Sequence, residues 1–308
     1  MQKMESERFR LKPGATIGVA APAGPFDEDL FATGLSIIEG MGFKAHVDPR
    51  IAAKTAFLAG DDRQRADVLH ALFENKGISA IICARGGYGS LRLLPLLDAP
   101  LISRNPKPVI GFSDITALLL FLSLRCGIPA IHGPVVTSLA TSDAATLAGL
   151  EKLLSGAAIA IAADPADVLR PGIAAGPLIG GNLTTLNHLL ATGFMPDLSG
   201  CILLLEDIHE APYRLDRMLC QMRMAGCFDA LAGLALGTFE YCGEPAHIRD
   251  VFLTHFERLS IPVMGGFPIG HGATNLAVPL GVPAVLDTGR ATLSVDFSNQ
   301  AGASTSHG

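Results

Sequence analysis

Residues 107–120 read KPVIGFSDITALLL. The run PVIGF is short and apolar, as a buried strand requires, whereas ITALLLFLSLRCG is long enough to form a buried helix. Ser113 and Asp114 fall in the turn between them. Their side-chain oxygens suit the free N–H groups of a first helical turn, so a helix cap is the simplest reading of those residues alone. The same turn holds the first glycine and the serine of a G-x-S-x-G nucleophile elbow, with Ile115 in place of the second glycine. On that reading the turn exposes the hydroxyl and aims the Asp114 N–H at a developing oxyanion.

Working outward, the alternation repeats from Ala15 to about Val136. ATIGVAAPAG, FKAHVD, GISAIICA, PVIGF and IPAIHGP read as strands. Between them, DEDLFATGLSIIEGMG, DDRQRADVLHALFENKG and SLRLLPLL read as helices, the last interrupted by Pro95. Strand and helix at this spacing predict a parallel, doubly wound α/β sheet of the flavodoxin-like or Rossmann-like kind, with ligand loops at the carboxyl ends of the strands. Those loops are AAPAG, ARGGYG, GFSD and HGP. Residues 1–142 are expected to form this first domain and 143–176, small and proline-punctuated, a linker holding one or two strands. Residues 177–300 are expected to form a smaller α/β domain ending in two strands around Asp287-Thr288-Gly289, and 301–308 a disordered tail.

Bulk properties narrow the partner. Charged residues make up 17% of the chain against 49% for the AVILMFWYC set, so much of it is buried. A net charge of −6 without a basic run gives no footprint for nucleic acid or an anionic membrane, and leaves a small molecule as the expected partner. Six scattered cysteines without a CxxC pair read as thiols of a reducing compartment. The first residues lack the apolar core of a secretory signal, and no run reaches the ~18 apolar residues of a membrane span. A cytoplasmic protein is expected.

Several residues compete for chemistry. ARGGYGS, residues 84–90, follows a buried strand, and its adjacent glycines bring main chain and N–H groups close to a ligand. Its spacing is not that of a dinucleotide fingerprint. A serine needs a base to attack a peptide, and His132, His188 and His271 are the histidines hardest to read as surface residues. His271 stands between two glycines in GGFPIGHGATN. Glu206 ends the apolar strand CILLLE, where a carboxylate needs a buried donor; Asp207 and Glu210 are rivals, and an ion pair with Arg214 or Arg217 is the structural alternative. No paired Cys/His or HExxH spacing points to a metal, and no cofactor is expected.

The set GFSDITAL, ARGGYGSLRLL, LLLEDIHEAPYRLDRML, GGNLTTLNHLLATG and GFPIGHG, in that family's order over nearly the whole chain, resembles the LD-carboxypeptidases of serine peptidase family S66. The resemblance implies a nucleophile at Ser113, a base at His271 and an orienting carboxylate at Glu206, set in a cleft between two domains of a homodimer. It implies oxyanion donors at the Asp114 N–H and at Gly87, with Gly86 its neighbour. Arg85, Asn182 and Arg214 are candidate substrate contacts. The implied reaction removes the terminal D-alanine of a murein tetrapeptide; a microcin-immunity peptidase of the same family, or a non-catalytic small-ligand module, is the alternative.

Overall fold

The computed structural model describes residues 9–295. Five strands of its first half are β1 (Thr16–Ala20), β2 (Lys44–Val47), β3 (Ala80–Cys83), β4 (Val109–Gly111) and β5 (Ala130–His132). Later come β6 (Ile159–Ala162), β7 (Val168–Arg170), β8 (Ile173–Asn182), β9 (Ile202–Ile208), β10 (Gly233–Glu240) and β11 (Val263–Met264). The last are β12 (Val278–Leu280), β13 (Pro283–Asp287) and β14 (Thr292–Val295).

Strands β1 to β5 pair in parallel in the order β5-β4-β3-β1-β2. The sequence dictates this arrangement locally. β3, β4 and β5 are buried throughout, as strands covered on both faces must be. Asp27 and Asp61 cap the helices Glu28–Gly40 and Asp62–Glu74 by accepting the N–H groups of Leu30 and Gln64. The segment SLRLLPLL makes a 3₁₀ turn, Leu91–Leu96, because Pro95 cannot donate into an α-helical ladder.

The second sheet has the order β6-β14-β13-β8-β9-β10-β11-β7, with β8, β9, β10 and β11 parallel and its outer strands antiparallel. The segment 143–176, expected as a linker with one or two strands, holds β6, β7 and the start of β8, and a helix besides. Residues 144–154 form a helix, capped by Asp143 through the Thr146 N–H, and β6 and β7 are the two edges of this sheet. The helix was hidden by its small residues, yet Leu150, Leu153 and Leu154 are its buried stripe. The expected disordered tail at 301–308 lies outside the described residues.

Two connections bring the halves together. β12, from the last part of the chain, joins the first sheet antiparallel to β5, with Val278 opposite His132. The helix Thr116–Cys126 is buried from Thr116 through Leu122 and packs on β4 and β5 of the first sheet and β8 of the second. Over these first two turns it has no solvent face and fills the space between the sheets; Leu124 and Arg125 reach solvent only in its last turn. Among the described residues no helix is long and apolar enough to cross a membrane.

Candidate active site

Ser113 follows β4 at the start of a 3₁₀ turn, Ser113–Ile115, and its backbone is left-handed, with φ +64°. A residue with a Cβ pays ~1–3 kcal/mol for such a conformation, which persists only where the surroundings enforce it. The cap reading fails on geometry: neither the 3₁₀ turn nor the following helix takes a side-chain cap from Ser113. Asp114 does not cap it either. Its buried carboxylate turns back and accepts the Ser90 N–H at 2.8 Å, while the Ser90 hydroxyl donates to the Asp114 carbonyl. Burial raises the Asp114 pKa, and the hydrogen bonds from Ser90 counter part of that rise.

This latch draws ARGGYGS over the serine. A Cβ added at Gly86 would stand 2.9 Å from the Ser113 Cβ and 3.2 Å from its Oγ, so only glycine allows the approach. Gly87 has φ +111° and lies against Gly24, whose N–H donates to the Gly86 carbonyl at 3.1 Å. Arg65, missed in the sequence because its helix reads as solvent-exposed, is buried and donates to the carbonyls of Pro22 and Gly89. One guanidinium therefore clamps two of the loops at the strand ends.

Across from the serine, Glu206 is fully buried in β9 and its Oε2 meets the His271 Nδ1 at 2.6 Å. Successive residues of a strand point to opposite faces, which separates Glu206 from its rival Asp207. Asp207 accepts from Asn182 Nδ2, Ile208 N, Thr184 N and Thr184 Oγ1 at 2.8 to 3.0 Å, so its carboxylate is a fixed structural acceptor. The GHG segment is shaped to the acid: a Cβ at Gly270, which has φ +118°, would fall 2.6 Å from the Glu206 Oε2. Gly270 N donates to Asn275 Oδ1 and Gly272 N to Thr238 Oγ1, each at 3.0 Å, fixing the imidazole on both sides.

Burial works against a charge on His271, but the hydrogen bond and the charge of Glu206, with Asp207 and Glu240 beyond it, raise its pKa above the ordinary value. Phe112, the residue before the serine, lies against the His271 ring with centroids 4.8 Å apart. A second chain of contacts joins the halves: the Asn182 N–H donates to Thr116 Oγ1 at 3.1 Å, and Asn182 is the register partner of Glu206. In this resting arrangement the imidazole is bonded to Glu206 and not to Ser113.

The remaining sequence candidates divide. Asn182 caps the short helix Leu183–Asn187 through its Oδ1 and spends its amide on Asp207, so its side chain is engaged within the protein. Arg214 pairs with Glu210 at 3.5 Å and rests on Tyr213, away from Glu206. Arg85 donates to the Pro25 carbonyl at 2.7 Å and holds the first loop. His188 is exposed on the end of a helix. His132 is buried beside Phe112, and burial, then the charge of His271, pushes its pKa down to about 3, so it stays neutral.

Residues 17–133 match the model of the LD-carboxypeptidase N-terminal domain of peptidase family S66, and residues 175–286 that of the LD-carboxypeptidase C-terminal domain. A protein of Synechocystis sp. named as a carboxypeptidase is 39% identical over 92% of this chain and 95% of its own. The murein tetrapeptide carboxypeptidase of Pseudomonas aeruginosa is 37% identical over 89% of this chain and 94% of its own. Among solved structures, MccF, the microcin C7 self-immunity protein, in complex with glutamyl sulfamoyl guanosine has a TM-score of 0.84 at 26% identity, covering 93% of this chain and 97% of that one.

Proposed function

Because this chain belongs to the LD-carboxypeptidase family, peptidase S66, we propose that it releases the terminal D-alanine of a murein tetrapeptide through an acyl-enzyme on Ser113. The observation that carries this reading is the 2.6 Å Glu206–His271 pair, set beside the residue that precedes a left-handed serine. Glu206 occupies Nδ1, so Nε2 is the nitrogen left to take the serine proton. Ser113 Oγ attacks the scissile carbonyl as His271 Nε2 accepts its proton. The oxyanion is met by the N–H groups of Asp114 and Gly87, and the same proton passes to the departing D-alanine amine. Water then gives a proton to Nε2 and attacks the ester, and the imidazolium returns that proton to Ser113 Oγ as the acyl–oxygen bond breaks and the tripeptide leaves. Contact between Ser113 and His271 forms as substrate closes the gap, a tightening common to catalytic hydrogen bonds.

The same proposal takes residues 1–142 as the serine-bearing domain and 177–300 as the one bearing acid and base, in a cytoplasmic homodimer. Purified protein should release D-alanine from a peptide with an L,D-linked terminus and leave the D,D-linked isomer intact. Equal cleavage of both, or unchanged release by Ser113→Ala, contradicts the reading.

One observation favours a second substrate class, acyl-nucleotide conjugates. Just past Glu206, His209 stacks on Tyr241 with centroids 4.9 Å apart, and Tyr241 is 77% exposed, which offers a flat face for a base. Cleavage of an aminoacyl-sulfamoyl-adenosine faster than the tetrapeptide, lost in Tyr241→Ala, would establish it.

A further inference from the structure

Of the acids Glu206, Asp207, Glu210 and Glu240 at the ends of β9 and β10, the first three are engaged within the protein. Glu206 is bonded to His271, Asp207 is filled by its donors, and Glu210 pairs with Arg214. Glu240 differs. Its carboxylate is half-buried, and no hydrogen bond or ion pair reaches it from the described residues.

Strand register fixes where Glu240 points. It is the partner of Ile208 across the parallel β9–β10 ladder. Register partners on neighbouring strands face the same side of a sheet, and so do residues i and i+2 of one strand. Glu240 therefore shares a face with Glu206, one pleat nearer the carboxyl edge, where parallel sheets take their ligands. The loop of the base agrees with this placement. A Cβ at Gly272, the neighbour of His271, would fall 3.3 Å from Glu240 Oε1, and the charge of Glu240 is among those acting on His271. The carboxylate is also open to an incoming group, since Glu240 borders a cavity of about 530 Å³ lined by the helix Pro245–Phe256 and the 265–268 loop. Arg249, the cation lining that cavity, donates to the Val168 carbonyl at 3.3 Å.

We propose that Glu240 is a specificity residue of the acyl side, its carboxylate receiving the side-chain ammonium of the diamino acid whose carbonyl Ser113 attacks. The inference rests on the carboxypeptidase reading above. The departing D-alanine carries a carboxylate, which an unpaired acid repels. The group that Glu240 attracts therefore belongs to the other side of the scissile bond, and in a murein tetrapeptide that residue is a diamino acid with a free amine. Glu240 stands beside the residue that follows His271, a separation that a long unbranched stem such as that of lysine bridges. Charge and hydrogen bonding then act together on the ammonium, and a substrate without it leaves the acid unpaired.

The test compares two peptides with an L,D-linked terminal D-alanine, one with L-lysine and one with L-norleucine at the position that acylates Ser113. Norleucine keeps the stem, lacks the ammonium and adds no bulk. The wild type is expected to prefer the lysine peptide by about 10–100-fold in kcat/KM, and Glu240→Gln to bring the ratio within about threefold. Both peptides meet the same base, so their ratio on one enzyme cancels any change that the substitution makes in His271. A wild-type ratio near one overturns the proposal, as does a preference that survives in Glu240→Gln. If the wild type releases D-alanine from neither peptide, the carboxypeptidase reading falls instead. Calorimetric binding of the two peptides then decides the role of Glu240, with the same preference expected in the wild type and lost in Glu240→Gln.

Discussion

Ser113 carries its side chain on a left-handed backbone, and the consequence is measurable apart from catalysis. Ser113→Ala and Ser113→Gly should both abolish turnover, by about 10⁵–10⁶ in kcat if this triad resembles other serine peptidases. They should differ in stability. Glycine adopts φ +64° without steric cost, so Ser113→Gly is expected to be more stable than Ser113→Ala by about 1 kcal/mol, read from denaturant midpoints. Equal midpoints would show that the turn stores no strain. At the same scale, His271 must be neutral to act as a base, and its pKa is raised above its ordinary 6.5. The acid limb of kcat/KM should therefore lie above pH 6.5. In Glu206→Gln it should move down, with kcat lower by about 10³–10⁴. For stability the sign is fixed by the same shift. A raised histidine pKa stabilises the fold fully below about pH 6.5. That contribution disappears as the pH rises through the folded-state value.

Elements rather than single residues decide how the serine is surrounded. The loop after β3 is held at Ser90 by Asp114 and at Gly89 by Arg65, and it touches the serine at Gly86. Gly86→Ala should therefore lose at least 10²-fold in kcat while binding and folding persist, because the methyl group would displace Ser113 itself. Activity close to wild type would show that the loop yields at little cost. The sequence made this arrangement partly legible. Strand-then-turn periodicity placed ARGGYGS and GFSD at one sheet edge, and the apolar run before Glu206 marked it as an acid needing a donor, although β9 continues past it to Ile208 and does not end there. Local pattern could not reveal that Asp114 reaches 24 residues back, nor that Asn182 and Arg214 are engaged elsewhere. Those outcomes depend on partners distant in the chain. An asparagine at a ligand edge and an asparagine capping a helix look identical in sequence.

The whole molecule is less separable than its two sequence halves suggest. β12 was invisible in the sequence, since VPL is three residues long and its pairing partner, β5, is far upstream. The helix 144–154 was obscured by its alanines, which form helix without displaying an apolar stripe, and by Gly149, which disfavours helix on local grounds. With β12 in the first sheet and its own successor β13 in the second, the halves should unfold together. Urea transitions followed by a probe on each half are expected to share one midpoint, and two resolved midpoints would refute that coupling. The crossing itself is short. Only Gly281 and Val282 separate β12 from β13, the first donating to the Leu178 carbonyl and the second accepting the Leu178 N–H. Such a splint leaves no slack for the two lobes to swing apart like a jaw. Peptide must be threaded in, and the cut amino acid let out, through the loops at the strand ends. Access to Ser113 is then expected to depend on those loops more than on a hinge between the lobes, and a cross-link from the 84–90 loop to the 21–25 loop should slow turnover.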